Sequence, residues 1–260
     1  MSSLPEIDFA AGTRFIGDLH LDAARSESCA DFSTWLRSIV GCPRLVILGD
    51  LFDAWVGPAH ARLDGAAAVL TALADLHRSG AAVDLIPGNR DFLLDADFEA
   101  RTGASLRPEG LIGRLPGRTG AAGRVLCVHG DELCTLDLGY QRLKRTLRSG
   151  PVRWLAPRLP DAAALWVARR LRGASRQALA RKPAASKAQQ ASAVLELAAG
   201  RQCGTLVCGH AHSFRDEEPQ GRVRWMVVDA FGGRRDVLRV SAAGALEPLA
   251  SRTPGAPDSS

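Results

Sequence analysis

Five apolar segments of this chain each run straight into a residue that can hold a metal ion or a phosphate. The clearest is Leu48-Gly49-Asp50-Leu51-Phe52-Asp53, entered through Leu45, Val46 and Ile47. The others are Phe15-Ile16-Gly17-Asp18-Leu19-His20, Leu85-Ile86-Pro87-Gly88-Asn89-Arg90-Asp91, Val125-Leu126-Cys127-Val128-His129-Gly130 and Leu206-Val207-Cys208-Gly209-His210-Ala211-His212. A short continuous apolar run closed by glycine reads as a buried strand handing its next side chain to a loop at the sheet edge. One carboxylate in such a place is ordinarily a helix cap or a turn residue. Five strands ending in Asp, Asn or His point instead to a metal centre.

A chain of 260 residues can form one large domain or two small ones. Its hydrophobic share of 46% and charged share of 23% are ordinary for a globular protein. The net charge of +5 is unevenly spread. Residues 140–190 hold thirteen Lys and Arg against one acid, Asp161, while the remainder carries twenty against twenty-seven. An acidic body with one strongly basic segment suits a local anion or membrane-surface site and argues against a nucleic-acid-coating protein. The six cysteines (Cys29, Cys42, Cys127, Cys134, Cys203 and Cys208) form no CxxC pair. Cys127 and Cys208 fall inside core strands, where a free thiol acts as a small hydrophobe. The opening Met1-Ser2-Ser3-Leu4-Pro5-Glu6 has neither the basic start nor the apolar run of an export signal, so a reducing cytosol is expected. No apolar run approaches the roughly 20 residues that span a bilayer.

Read in order, residues 1–12 are a leader into a strand at Arg14–Gly17. Helical spacing covers 28–40 through Phe32, Trp35, Leu36, Ile39 and Val40, and 61–79 through Leu63, Ala66, Ala67, Leu70, Leu73, Ala74 and His77, with Gly80 as the stop. A strand at Val83–Ile86 and a short helix near 95–101 follow, and 103–123 read as turns. Further strands are expected at Arg124–Val128, Thr205–Cys208, Val223–Val228 and Val237–Val240. The segment 134–200 differs: it is helical, basic and broken by Pro151, Pro157, Pro160 and Pro183. Leu159, Ala163, Trp166, Val167 and Leu171 share helical spacing, with Arg169, Arg170, Arg172 and Arg176 mostly elsewhere. Two readings stay open, a surface helix packing its long side chains on the body and a cap meeting lipid on one side and phosphate on the other. The expected organisation is one domain over 1–250 with this insertion at about 134–200, and a disordered tail over 251–260.

Asp, Asn and His without paired thiolates make a hard-to-borderline site suited to Mn²⁺, Fe²⁺, Zn²⁺ or Mg²⁺. Two metals roughly 3.5–4 Å apart need one ligand that reaches both, and a carboxylate has two oxygens with which to do so. Asp50 is the residue chosen for that bridge. Asp18 and His20 alternate along an extended segment and can face one way, and His210 and His212 repeat the device. Asn89 adds a neutral amide oxygen that lets a phosphate approach, and His129 completes the set.

In this order, Gly-Asp-x-His, Gly-Asp, Gly-Asn, His-Gly and Gly-His-x-His resemble the calcineurin-like metallophosphoesterase superfamily. The resemblance implies an α/β fold, a four-layer α/β/β/α sandwich, with a dinuclear site at the strand ends and the helical insertion as a cap. It implies Asp18, His20, Asp50 and His212 on one metal, and Asp50, Asn89, His129 and His210 on the other. Where most of the superfamily carries a histidine after Gly-Asn, this chain has Arg90. Arginine cannot act as a general acid near neutrality, but it can clamp phosphate oxygens and stabilise developing charge. A pyrophosphate, whose leaving phosphate needs no proton, is the favoured substrate.

The finer resemblance is to the UDP-2,3-diacylglucosamine diphosphatases of lipid A synthesis. It rests on Leu48 to Gly57, on Gly88-Asn89-Arg90-Asp91-Phe92-Leu93-Leu94, on His129-Gly130-Asp131-Glu132-Leu133-Cys134-Thr135, and on Tyr140-Gln141 with the basic insertion. It covers roughly 12–240. It implies hydrolysis at the α-phosphorus to UMP and a diacylated glucosamine 1-phosphate, usually with Mn²⁺, on the cytoplasmic face of the inner membrane. Arg90, Asp50 and His129 then carry catalysis, and Asn89, Arg90, Asp137, Ser175, Lys182 and His210 contact substrate. The acylated UDP-glucosamine and, through the basic cap, the membrane surface are the implied partners, with neither nucleic acid nor an obligate protein partner. Departures gather on the substrate side: Leu179 for an asparagine, Gln189-Gln190-Ala191 for Met-Asp-Val, Ser213-Phe214 for Arg-Pro, and Phe231 for a tryptophan. The alternatives are a hydrolase of other nucleotide pyrophosphates or phosphodiesters, and a non-catalytic scaffold on the same fold. The second expects lost ligands, and all seven are present.

Overall fold

Alternation along the strands sorts the apolar side chains of the body into three separate cores. In a computed structural model that describes residues 3–147, 149–167, 169–170, 173 and 188–252, twelve strands form two six-stranded sheets. One sheet has the order β12-β11-β2-β3-β4-β5 and the other β1-β6-β7-β8-β10-β9. The first comprises Arg14–Ile16 (β2), Arg44–Ile47 (β3), Ala82–Leu85 (β4), Ser105–Leu106 (β5), Val237–Val240 (β11) and Leu246–Leu249 (β12). The second comprises Glu6–Asp8 (β1), Leu111–Arg114 (β6), Arg124–Cys127 (β7), Thr205–Cys208 (β8), Arg215–Glu217 (β9) and Arg224–Val227 (β10).

Successive residues of a strand point to opposite faces. Phe15, Val46, Val125, Cys127, Val207, Met226 and Leu238 therefore meet between the sheets. Ile16, Leu45, Ile47, Val83 and Leu85 face the other way, onto Phe32, Trp35 and Leu36 of α1 (Ser26–Ser38), Ala59 and Ala61 of α2 (Pro58–Ala61), Val69, Leu70 and Leu73 of α3 (Asp64–Arg78) and Phe98 of α4 (Ala96–Thr102). Leu126, Leu206, Cys208, Trp225 and Val227 face out from the second sheet onto Val194 and Ala198 of the helix Ala191–Gly200. Three cores between four layers make the expected α/β/β/α sandwich. Burial on both faces is why the central strands read as unbroken apolar runs.

The strands that carry the motifs lie where the sequence places them, within a residue or two at either end. Three expectations change. The supposed leader contains β1, which pairs in parallel with β6 from Glu6 opposite Ile112 to Asp8 opposite Arg114. The supposed turns over 103–123 contain β5 and β6, and β6 pairs antiparallel with β7. Glycine hides β6 in the sequence, because Gly113 leaves room for the Phe9 ring, against which any Cβ would collide. The last ten residues of the 134–200 segment form the outer-layer helix Ala191–Gly200, packed on the second sheet, whereas Ala156 and Ala164 of the preceding part are buried elsewhere.

That preceding part begins with α5 (Leu138–Leu147) and α6 (Gly150–Leu155), and is helical again over 161–167. Ala156 and Ala164 are buried against the α1/α3 core, with Val152, Leu159 and Leu165 packed beside them. Arg62 pairs with Asp161 across the same junction. Ser175, Leu179, Lys182 and residues 253–260 lie outside the described residues.

Candidate metal centre

All five motif loops leave the C-terminal ends of their strands at one end of the sandwich, three from the first sheet and two from the second. The loops are built by close approach. Gly49 has φ +97°, and a Cβ there would strike the His129 ring and lie 2.9 Å from the Gly88 Cα. A Cβ on Gly88 would in turn overlap the Asp50 carboxylate. The glycines of Gly-Asp and Gly-Asn are thus needed for three loops to meet at all.

Backbone strain concentrates at the same place. Among the described residues seven non-glycine residues have left-handed φ, and five of them are Asp18 (51°), His20 (47°), Asp50 (51°), His210 (70°) and His212 (54°). Such conformations are sparsely populated for residues with a Cβ and collect at functional sites where the surroundings impose them. Here the Asp18 amide donates to the Gly49 carbonyl (3.1 Å) and that of His20 to the Asp50 carbonyl (2.8 Å).

The ligating atoms converge in two groups, Asp18 with His20 and His212, and Asp18 with Asp50 and His129, each within 4.8 Å of one another. His20 Nε2 faces His212 Nε2 at 3.0 Å, and His210 Nδ1 faces His129 Nε2 at 3.3 Å. Asp50 Oδ2 lies 3.7 Å from His20 Nε2 and 3.8 Å from His129 Nε2, so one oxygen addresses both groups. Its other oxygen, Oδ1, accepts the Arg90 amide at 2.9 Å. His129 Nδ1 lies 2.7 Å from the Leu48 carbonyl, which can only accept, so Nδ1 donates there and Nε2 is the ring nitrogen turned toward the cluster.

The electrostatics ask for a cation. Burial raises the pKa of Asp50 to about 7 and also lifts Asp18. Burial alone would lower His129, but Asp50, Asp131 and Asp18 outweigh it and bring His129 up to about 9. Burial, reinforced by the neighbouring histidines, holds His20 and His210 down at about 3, the neutral form a metal requires. Asn89 Oδ1 is buried without a hydrogen-bond partner, and the Asp18 carboxylate is buried beside the backbone amides of His210 and His212. Buried acceptors left unpaired are costly, and this all-N/O donor set fits a divalent ion.

The seven residues expected at the metals are brought together. Asn89, Arg90 and His210 line one cleft of about 460 Å³ with His20, Asp50 and His212. Asp137 does not line it; its Oδ1 accepts the Tyr140 amide at 3.0 Å at the start of α5.

Sequence reasoning assigned no role to Asp91, Asp131, Lys144 or Gln189. Asp91 is fully buried, and its two oxygens accept the Gly88 and Leu51 amides, each at 2.7 Å, tying the Asn89 loop to the Asp50 loop. Asp131 receives Lys144 Nζ at 2.8 Å and the Tyr140 hydroxyl, fixing α5 to the residue two beyond His129. Gln189 Nε2 donates to the Gly130 (3.1 Å) and Gly209 (3.0 Å) carbonyls and joins the two histidine loops.

This fold and this cluster define a metallophosphoesterase. The calcineurin-like phosphoesterase family model matches residues 13–214, and the chain belongs to that family. It is similar to a UDP-2,3-diacylglucosamine hydrolase of Aeromonas salmonicida, 37% identical over 77% of each chain. It is also similar to proteins of the same name from Escherichia coli O7:K1, 37% identical over 88% of this chain and 95% of that one, and from Shewanella piezotolerans, 36% identical over 88% and 94%.

Proposed function

We propose that this phosphoesterase hydrolyses UDP-2,3-diacylglucosamine, giving UMP and 2,3-diacylglucosamine 1-phosphate for lipid A synthesis. The observation that carries the reading is Arg90. It lines the cleft beside Asn89, its backbone amide is fixed on Asp50 Oδ1, and its Nε is buried without a protein partner. A permanent cation held ready in a partly dry site is suited to the oxygens of a pyrophosphate.

In this reading Asp18, His20, Asp50 and His212 hold one divalent ion, and Asp50, Asn89, His129 and His210 the other, with Mn²⁺ as the native metal. Bound there, the ions supply Lewis acidity and an attacking water activated near neutral pH. Asp50 and His129 hold the reacting end rigid, through the Arg90 amide and the Leu48 carbonyl. Water oxygen bonds to the α-phosphorus as the bond from that phosphorus to the bridging oxygen breaks. Arg90 draws off charge from the phosphate oxygens, and the sugar phosphate leaves as an anion without needing a proton. Asn89 and His210 contact the substrate from the cleft wall, and Asp137, Ser175 and Lys182 are its further contacts in this reading.

The cap is assigned to the lipid. Leu138, Leu143, Trp154, Leu155 and Trp166 are all more than half exposed, and Arg158 and Arg170 lie over the Trp154 and Trp166 rings. No helix among the described residues is long and apolar enough to cross a membrane. Exposed aromatics beside arginine suit an interfacial contact, and in this reading the protein works on the cytoplasmic face of the inner membrane. The test is release of nucleoside monophosphate by the Mn²⁺-loaded protein: UMP from the acylated UDP-sugar and from UDP-glucose, AMP from ADP-ribose. Preference for the acylated substrate is expected; equal turnover of all three would assign the enzyme to soluble nucleotide pyrophosphates.

A further inference from the structure

The cleft has a second arginine, Arg215, and its position suggests which half of the substrate goes where. We propose that Arg215, the first residue of β9, receives the nucleotide half, donating to an acceptor oxygen of the UMP portion. The inference rests on the hydrolase reading above and adds a direction to it.

The two ends of the cleft differ. The cap beyond α5, with Trp154 and Trp166, packs on the first sheet's helical layer, where Val152, Leu159 and Leu165 meet the core containing Trp55 and Ala61 and Asp161 pairs with Arg62. Acyl chains drawn to the cap therefore leave toward that side. β9 lies at the far edge of the second sheet, beyond β8 and β10, and Arg215 lines the same cleft from there. The polar half of a molecule lying across the metal centre is thus directed at Arg215.

Arg215 is also built for contact. Its guanidinium carbon lies 4.2 Å from the centroid of the Trp225 ring, which is itself buried. Stacking fixes the plane of the guanidinium and leaves its edge N–H groups to donate. Its ion pair with Glu217 is long, 3.7 Å, to a carboxylate 59% exposed, and such a pair holds the arginine only weakly. A planar cation preset on an aromatic ring suits a phosphate oxygen or a uracil carbonyl equally, so the chemistry assigned is that of an oxygen acceptor on the nucleotide.

The test compares the full-length Mn²⁺-loaded parent with Arg215→Ala and Arg215→Lys, using UMP and ribose 5-phosphate as competitive inhibitors of acylated UDP-sugar hydrolysis. Loss of one charge-assisted contact should weaken UMP inhibition and raise KM by about tenfold in Arg215→Ala. The expected kcat stays within about twofold, because contacts shared by ground and transition states appear in KM. Arg215→Lys should recover part of the loss, which a packing defect at Trp225 would not allow. A parallel loss for ribose 5-phosphate assigns the contact to the phosphate; a loss confined to UMP assigns it to the uracil ring. Unchanged UMP inhibition in Arg215→Ala, or a fall in kcat at constant KM, overturns the proposal. Titration calorimetry of UMP into the parent and Arg215→Ala separates the two levels. A parent that binds UMP through Arg215 yet leaves the acylated sugar intact refutes only the substrate reading, and a parent that binds no UMP refutes the nucleotide site.

Discussion

Asp91 is the residue whose removal the structure prices most directly. Its carboxylate receives two buried backbone amides, from Gly88 and Leu51, at 2.7 Å each, and the side chain is fully buried. Hydrogen bonds to a charged acceptor contribute about 1.5–3 kcal/mol each, and a stranded buried donor costs a similar amount. Burial also raises the Asp91 pKa, with the Gly88 and Leu51 amides among the opposing influences. Part of the gain is therefore spent on desolvating the carboxylate, and the lower end of the range applies. Asp91→Ala should lose about 3 kcal/mol of folding free energy. Asp91→Asn keeps one acceptor but turns an amide donor toward the other N–H, and should lose at least half as much. Urea unfolding of the metal-free proteins measures this without a contribution from bound ion. A loss below about 1 kcal/mol for the alanine variant would mean that the two loops hold their positions without Asp91, and the brace would have to be abandoned.

Asp50→Ala should release both metals, since Oδ2 faces both groups; two tightly bound ions per chain in the purified variant, by elemental analysis, would end the bridge assignment. Arg90→Ala should reduce kcat for the UDP-sugar by roughly 10²–10³, the usual effect of losing one preorganised donor. Arg90→His should regain little of that activity while improving, relative to it, on a phosphodiester with a poor leaving group; parental activity on the UDP-sugar would refute the clamp. Replacing Trp154 and Trp166 by serine should weaken binding to anionic phospholipid vesicles and raise KM for the acylated substrate, with a circular-dichroism spectrum unchanged. Vesicle binding equal to the parent's would remove the cap from the membrane.

The strands that deliver chemistry were legible because each is buried on both faces and writes itself as an unbroken apolar run, as Leu45 to Leu48 does. The glycine closing each run was legible for a related reason: Gly49 and Gly88 sit where neighbouring loops leave no room for a Cβ. Other elements were hidden. β1 and β9 are three-residue edge strands with charged residues, and β6 carries a glycine where Phe9 fills the space. β1 takes its strand character from β6, remote in sequence, which no local pattern records. The contributions of Asp91, Asp131 and Gln189 were invisible for the same reason. Each is an ordinary polar residue in a loop until the loop it ties down has arrived.

Asp18 and His20 stand near the start of the sequence, and His212, which meets His20 at 3.0 Å, lies 192 positions further on. Synthesis runs from the N-terminus, at about 5–20 residues per second. For roughly ten seconds or more at that rate, a ribosome-bound chain presents Asp18, His20 and Asp50 without His210 and His212. Cellular metals that grip any Asp–His pair meet only a partial set during that time. Selection among ions is therefore deferred until the second sheet has docked on the first, when geometry rather than order of encounter decides which ion stays.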